Sequence, residues 1–542
     1  MTLPPCALAA EKGGPAAAAG DSRALGERMY RDGLLSDGTP LRGYVKGDVE
    51  VDSTVFSCSN CHTRSGLGSV EGQVASPPVN GTTLYNKRYQ YKDYIKNIIS
   101  EKRGVPRTAT PLRPAYTDET LADAIRGGMS PNGRPFSPVM PRYSIGDRDM
   151  RILADYLRSL SSAYSPGVTE TEMHIATIVG EGVPASERDA MVIPLERLAA
   201  QSRQAASLKK SPKYAKFARM LDESFFRTMR LSVWELKGSP TSWKAQLEEH
   251  YRKDPPFILM GGLVNGDWKP VHDFCEERQL PNLYPLTDFP VVSESSWYTY
   301  YFTRGYYQEG ETAARFASGG GTSRVIQLVT PSRDSARLAE GAAAAWGEKG
   351  HGTLETVTLP GPGTFDAAAL RKVLETARPD TLLVWGGSEA LTALADPSLA
   401  GLLPARVILS SSQVGSGFTN LPDRLKERIF FTYPYRLPRE EKNYADFAKT
   451  FLTGKMKLDD KRIASRTYSM IHVFLLGLKE LKLDFYRDTL LDVISMRQDQ
   501  TLPDFERLSF GPGQRYSSKG CYIVQVATGS RELIRKSDWV VF

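Results

Sequence analysis

The sequence predicts two units of different fold class, an all-α domain over 21–160 and a larger, two-lobed α/β domain over 173–542. Three observations carry this. Helical spacing opens and closes the N-terminal part, and between those helices lie Gly- and Pro-rich loops containing Cys58-Ser59-Asn60-Cys61-His62. A small, polar stretch broken by Pro166 and Gly167 follows, so 161–172 reads as a linker. After it, apolar strand-like runs alternate with helical ones to the end of the chain. The 542 residues are too many for one ordinary core.

Composition excludes several classes. Charged residues make up 24% and the hydrophobic class 41%, as in ordinary globular proteins. The net charge of +7 is mild over this length and gives no footprint for nucleic acid. No run approaches the roughly 20 apolar residues of a membrane span. Residues 1–20 read as a residual signal segment: they lack a positive start and a full apolar core, but Ala7-Leu8-Ala9 has the form of a cleavage site. Cys6, after Leu3-Pro4-Pro5, makes a poor lipoprotein box.

The Cys58–His62 stretch has the C-x-x-C-H form of a covalent haem attachment site. Two thiols three positions apart can both reach the haem vinyl groups from one turn of backbone. The adjacent histidine is then held under the iron as a proximal ligand. A zinc site would need a second ligand pair, and no other two cysteines are so spaced. A thioredoxin-like pair would sit near a βαβ pattern, whereas Thr63, Gly66 and Gly68 mark a loop. Cys275 and Cys521 remain open as a bridge or as free thiols.

Around the motif, a first helix is expected over 22–35 with Asp21 or Ser22 as N-cap, a short one over 117–126, and a closing one over 147–160 capped by Asp147. Gly26 and Tyr30 share a face of the first; Leu153, Tyr156, Leu157 and Leu160 recur at helical spacing in the last. With the motif between them, these residues resemble a class I monohaem cytochrome c, whose first and last helices cross where a Gly admits an aromatic ring. Gly26, Tyr30 and Tyr156 match those positions. The resemblance implies one covalent haem c and a distal methionine before a proline in the loop ahead of the last helix. Met140, in Val139-Met140-Pro141, fits; Met129 competes. A thioether opposite an imidazole raises the reduction potential, and two filled axial sites favour electron transfer over oxygen chemistry. Arg113, Arg126, Arg142 and Tyr143 are candidates for the propionates. Pro77-Pro78 and Asn80-Gly81 resemble the loop beside the haem in the cytochrome subunits of certain dehydrogenases. Bacterial attachment of haem c is periplasmic, so the resemblance also implies that compartment and a protein redox partner.

In the second part, strands are expected at 173–179, 257–260, 325–329, 381–385 and 406–409, and helices over 186–204, 335–349, 365–377 and 443–453. Buried strands alternating with amphipathic helices mean parallel sheets covered on both faces. No G-x-G-x-x-G follows a strand with an acidic residue beyond it, against a dinucleotide fold; Ser318-Gly319-Gly320-Gly321 precedes a strand and reads as a turn. The order of these elements resembles the type I periplasmic binding protein fold, in the branch of substrate-binding proteins for branched-chain amino acids and amides. That resemblance implies a small-molecule cleft at the carboxyl ends of the strands. Candidate contacts are Asn265, Trp268, Thr287, Tyr306, Tyr307, Ser388, Glu389, Ser412 and Gln413. Asn265 stands where the family usually places a ligand-carboxylate Ser, which argues against an amino-acid ligand. Trp268, Tyr306 and Tyr307 would stack on an aromatic one.

The remaining histidines, His174, His250, His272, His351 and His472, form no pair at metal-ligand spacing, and no nucleophile constellation stands out. His272 and Cys275 are three apart without a second pair. The function expected is a periplasmic c-type cytochrome fused to a small-molecule-binding module. The alternative is the cytochrome subunit of a dehydrogenase complex, with the large domain as docking scaffold; solute delivery to a transporter is the third.

Overall fold

The structure is a computed structural model and describes residues 15–47, 49–88, 112–209, 227–293, 295–319, 324–359, 365–440, 461–481, 485–497, 499–511 and 513–541. The expected helix over 443–453, Cys6, and Gly320 and Gly321 lie outside them. The chain divides into two compact units: Met1–Ser165 with Leu481–Val493, and Pro166–Glu480 with Ile494–Phe542. The division at Ser165 falls inside the expected linker. The return of 481–493 to the first unit was not legible, because nothing in its own pattern marks it.

In the first unit, helices Pro15–Asp32 and Asp147–Ser159 cross at Gly26. A Cβ there would lie 2.5 Å from Tyr156 Cβ and 2.9 Å from the Ile152 carbonyl, so only glycine permits the approach. One turn on, the Tyr30 and Tyr156 rings sit 5.6 Å apart. The helix caps differ from expectation. Asp21 and Ser22 lie inside the first helix, which the good helix formers Ala16–Ala19 extend backwards. Gly146, not Asp147, is the N-cap of the closing helix. Helix Asp118–Gly127 starts from a Thr117/Thr120 capping box and stops at Gly128, φ +70°.

The unit is not purely helical. A small antiparallel sheet runs β2-β1-β5, from β1 (Arg42–Val45), β2 (Val49–Asp52) and β5 (Arg142–Ser144). A hairpin joins β3 (Ser69–Glu71) to β4 (Val74–Ser76). Strands of three or four residues are too short to show a period, so the sequence hid them.

The second unit holds two sheets. The first is wholly parallel, in the order β10-β9-β8-β6-β7, from β6 (Glu172–Gly180), β7 (Thr228–Leu236), β8 (Ile258–Met260), β9 (Asn282–Leu283) and β10 (Thr299–Tyr300). The second runs β12-β11-β13-β14-β15-β16-β17. Its parallel part comprises β11 (Val325–Val329), β12 (Glu355–Thr358), β13 (Thr381–Trp385), β14 (Arg406–Ser410) and β15 (Ile429–Tyr433). Beyond it, β16 (Gly520–Val526) is antiparallel to β15 and pairs with β17 (Leu533–Arg535) and β18 (Val540–Val541). β11 and β13 have the bounds expected from sequence; the antiparallel edge was not anticipated. Continuous Val/Ile/Leu runs suit strands covered on both faces, and every residue of β11, β13 and β16 is buried. Cys275 and Cys521 are both buried and do not bridge each other.

Candidate functional site

Residues Cys58–His62 form a single helical turn entered from Ser57 in extended conformation. Side chains fasten it to its surroundings: Asn60 Nδ2 donates to Val55 O at 2.6 Å, Ser59 Oγ to Arg31 O at 3.2 Å, and Ser69 Oγ to Cys61 O at 2.8 Å. Cys58 and Cys61, three apart on this turn, share a face, and both thiols are free. Burial pushes the Cys58 thiol up to about 11, opposed by a hydrogen bond from the Tyr143 hydroxyl. Partial burial raises Cys61 as well.

His62 is 9% exposed, and burial lowers its imidazole, favouring the neutral ring. Nδ1 lies 2.8 Å from Pro77 O, a carbonyl that only accepts, so this contact requires the proton on Nδ1 and leaves the Nε2 lone pair for a metal.

Met140 ends a turn in which its N–H donates to Ser137 O at 3.1 Å. Arg142 holds that turn, donating to the carbonyls of Met140 at 2.5 Å and Phe136 at 3.3 Å. It also packs over Gly128, where a Cβ would come within 1.8 Å of its Nε. One arginine thus secures the loops of both Met140 and Met129; Met129 is 40% exposed and Met140 half-buried. Tyr143 leaves the same loop to reach the Cys58 thiol and, at 3.4 Å, Phe56 O. The methionine loop and the cysteine turn are therefore brought together.

The other two arginines also fasten loops. Arg113, buried, donates to the carbonyls of Thr83, Leu84, Asn86 and Pro114 and lies over the Tyr116 ring. Arg126 bonds Ile145 O and Asp147. Of the thirteen large apolar side chains exposed among the described residues, ten belong to this unit, including Tyr44, Phe56 and Val139. Free thiols on one face, a neutral imidazole with a directed Nε2 and a thioether loop nearby fit a covalent haem. Among the described residues, no cluster of three or more His, Cys, Asp or Glu is placed to hold a metal ion.

In the second unit, the loops after β8 and β11 meet where Arg333 pairs with Asp267 at 2.9 Å. Arg333 also lies over the Phe289 ring, which meets Tyr306 edge-on at 5.3 Å. Tyr306 begins helix Tyr306–Ser318, and one turn on Glu309 is buried. Its Oε2 accepts from Ser410 Oγ at 2.8 Å and Thr432 Oγ1 at 2.6 Å, at the carboxyl ends of β14 and β15; the Ser412 hydroxyl lies beside it, buried and without a hydrogen-bond partner among the described residues. Burial raises its carboxyl to about 7. Burial, then Asp288 and Asp334, raise Tyr306 well above the usual phenol. Ser411 Oγ and Gln413 Oε1 are buried without a hydrogen-bond partner among the described residues.

Of the nine expected cleft residues, Tyr306 and Ser412 are thus gathered about Glu309, with Gln413 beside Ser412. Trp268 belongs elsewhere: it is fully buried in the first lobe's core against Gly262, whose φ of +127° brings the backbone onto the indole. Asn265, Ser388 and Glu389 are exposed, and Glu389 caps its own helix through Gly387 N. Tyr307 lies between the guanidinium groups of Arg304 and Arg337, and Thr287 Oγ1 accepts from Phe289 N. Glu309 was missed; its signal was a carboxylate three residues after Tyr306 on a helix otherwise reading as core-facing.

Family comparison decides the class of the larger unit. The periplasmic binding protein model matches residues 227–530, more than half of the chain. The chain belongs to the periplasmic binding protein family. Solved structures similar to this binding protein include an ABC transporter substrate-binding protein from Sphaerobacter thermophilus, 14% identical, with a TM-score of 0.51, covering 68% of this chain and 98% of that one. A putative branched-chain amino acid ABC transporter from Rhodospirillum rubrum is 15% identical, with a TM-score of 0.49, covering 68% and 100%. A solute-binding protein from R. palustris, in complex with 4-hydroxybenzoate, is 15% identical, with a TM-score of 0.48, covering 68% and 96%. At such identities the likeness is one of fold. No curated protein matches the chain. Among the described residues, no helix is long and apolar enough to cross a membrane.

Proposed function

We propose that this binding protein is a periplasmic electron carrier that also takes a small ligand. Its first unit would hold one haem c through Cys58 and Cys61, with His62 and Met140 as the residues that would ligate its iron. The observation that carries this half is the buried His62, with Nδ1 committed to Pro77 O, on the same turn as two free thiols. When bound, haem supplies one-electron transfer, and a protein redox partner in the periplasm is the other half of that exchange. His62 would hold the iron through Nε2. Pro77 O fixes the tautomer and the ring plane. Met140 would supply the second protein ligand, and Arg142 keeps its turn in place. Arg113, Arg126, Arg142 and Tyr143 remain the candidates for the propionates.

The second unit binds its ligand where the strand-end loops of the two lobes meet, with Tyr306, Glu309, Ser412 and Gln413 as contacts. Glu309 and the nearby Asp288 and Asp334 favour a ligand that donates hydrogen bonds or carries positive charge over a carboxylate.

The test is production in a periplasm with haem-attachment machinery, followed by a reduced-minus-oxidised spectrum. Haem that stays with the denatured chain, a sharp α-band, and a near-infrared methionine–iron feature lost in Met140→Ala but kept in Met129→Ala are expected. A wild type without covalent haem, or already high-spin, overturns the carrier reading. For the ligand, thermal shifts with small protonated amines are expected in wild type and not in Glu309→Gln; shifts surviving that change would remove Glu309 from the site.

A further inference from the structure

The residue that follows His62 is held in a conformation that costs energy. Thr63 has φ +60° and ψ +169°, a region open in practice only to glycine. Such a residue persists where its surroundings over-determine it, and here they act from two sides. The Tyr30 hydroxyl donates to Thr63 O at 2.7 Å. From the other side, Ser65 N–H donates to Asp492 Oδ2 at 2.8 Å, and the Thr63 and Ser65 hydroxyls bond the same carboxylate.

Asp492 comes from the far end of the chain, 427 residues from Ser65. It lies on helix Arg487–Ser495 within the 481–493 segment that belongs to the first unit. That segment is anchored independently. Ser165 N donates to Phe485 O at 3.2 Å, Arg487 N donates to Ser165 Oγ at 3.0 Å, and Asp488 pairs with Arg31 at 2.7 Å. The Arg31 carbonyl in turn receives Ser59 Oγ from the cysteine turn. Asp492 itself is 2% exposed. A carboxylate so buried is costly unless it serves donors around it, and Thr63 and Ser65 are among them.

We propose that Asp492 is a positioning residue for haem ligation: it clamps the strained 63–65 loop and so sets the orientation of the His62 ring. This rests on the haem reading above, since His62 is the proximal ligand only if that reading holds.

The experiment uses the full chain, with and without haem, as wild type, Asp492→Asn and Asp492→Ala. In Asp492→Ala the Ser65 amide is expected to exchange about tenfold faster or more, through loss of its acceptor. The midpoint potential of the haem form is expected to shift, and the methionine–iron feature to broaden. Asp492→Asn, whose amide oxygen still accepts from Ser65 N, is expected to recover most of both. Should Asp492→Ala fail to fold, Thr63→Gly in the same chain, which relieves the strain, is expected to restore folding. Unchanged potential and unchanged exchange in Asp492→Ala overturn the proposal, as does a Thr63→Gly/Asp492→Ala chain no better than Asp492→Ala. A wild type lacking covalent haem overturns the haem reading instead, and Ser65 exchange in that chain still decides whether the clamp exists.

Discussion

The first unit carries ten of the thirteen exposed large apolar side chains although it is the smaller, whereas the second buries every residue of β11, β13 and β16. Their polar groups differ too. Arg113, Arg126 and Arg142 of the first unit donate to the carbonyls of loops. In the second, Ser410 and Thr432 donate to one buried carboxyl at the strand ends. The second unit closes its core with its own sheets and helices and places polar groups at one edge of them. The first is built as a set of loops pinned by arginines, with more of its large apolar side chains left exposed.

Three changes sharpen that contrast. The largest effect is expected for Trp268→Ala, which empties a fully buried site in the first lobe and should cost about 3–5 kcal/mol in urea unfolding. Asn265→Ala, at the exposed part of the same loop, should cost less than about 0.5 kcal/mol. Equal losses would mean that Trp268 is not core.

Next comes the pH dependence of Glu309. Its carboxyl sits at about 7 in the folded chain against an ordinary 4.5, so between these values the folded state keeps a proton that the unfolded state has released. Its contribution is therefore fully present below pH ~4.5 and is lost as pH rises through 7. Roughly 3 kcal/mol is at stake, at ~1.4 kcal/mol per unit. Melting followed from pH 4 to 8 should show this slope flattened in Glu309→Gln; an identical slope would mean that Glu309 is not the titrating group.

The smallest effect is Gly26→Ala, which forces a methyl against Tyr156 Cβ at 2.5 Å and should cost about 1–3 kcal/mol. Faster amide exchange in helix Asp147–Ser159 would report it, and unchanged exchange would place the helix crossing elsewhere.

Much of this was readable in the chain. β11 and β13 announce themselves because both faces are covered, and continuous apolar runs leave one reading. Gly26 and Tyr30 were legible as sharing a helix face because helical spacing is a local property; that they meet Tyr156 was implied by the cytochrome c resemblance alone. The cysteine turn was legible as a motif because it lies within five consecutive residues. Trp268 was misread as a cleft residue because an indole beside a glycine-rich strand end looks alike whether it faces ligand or core; Gly262's φ of +127° decides it. The small sheet of β1, β2 and β5 was invisible, its strands being shorter than any detectable period.

The sequence by itself determined the α/β class of the second unit and the family's strand pattern, which depend on residues close together in the chain; it predicted the first unit as all-α, where short strands also occur. Only the tertiary structure decided which distant groups meet: Tyr143 with Cys58, Glu309 with Ser410 and Thr432, Asp492 with Ser65. Each is a hydrogen bond between residues tens to hundreds of positions apart, and its existence depends on burial, which strips competing water from both partners. No local pattern encodes that burial, because it is a property of the packed core rather than of the segments that enter it.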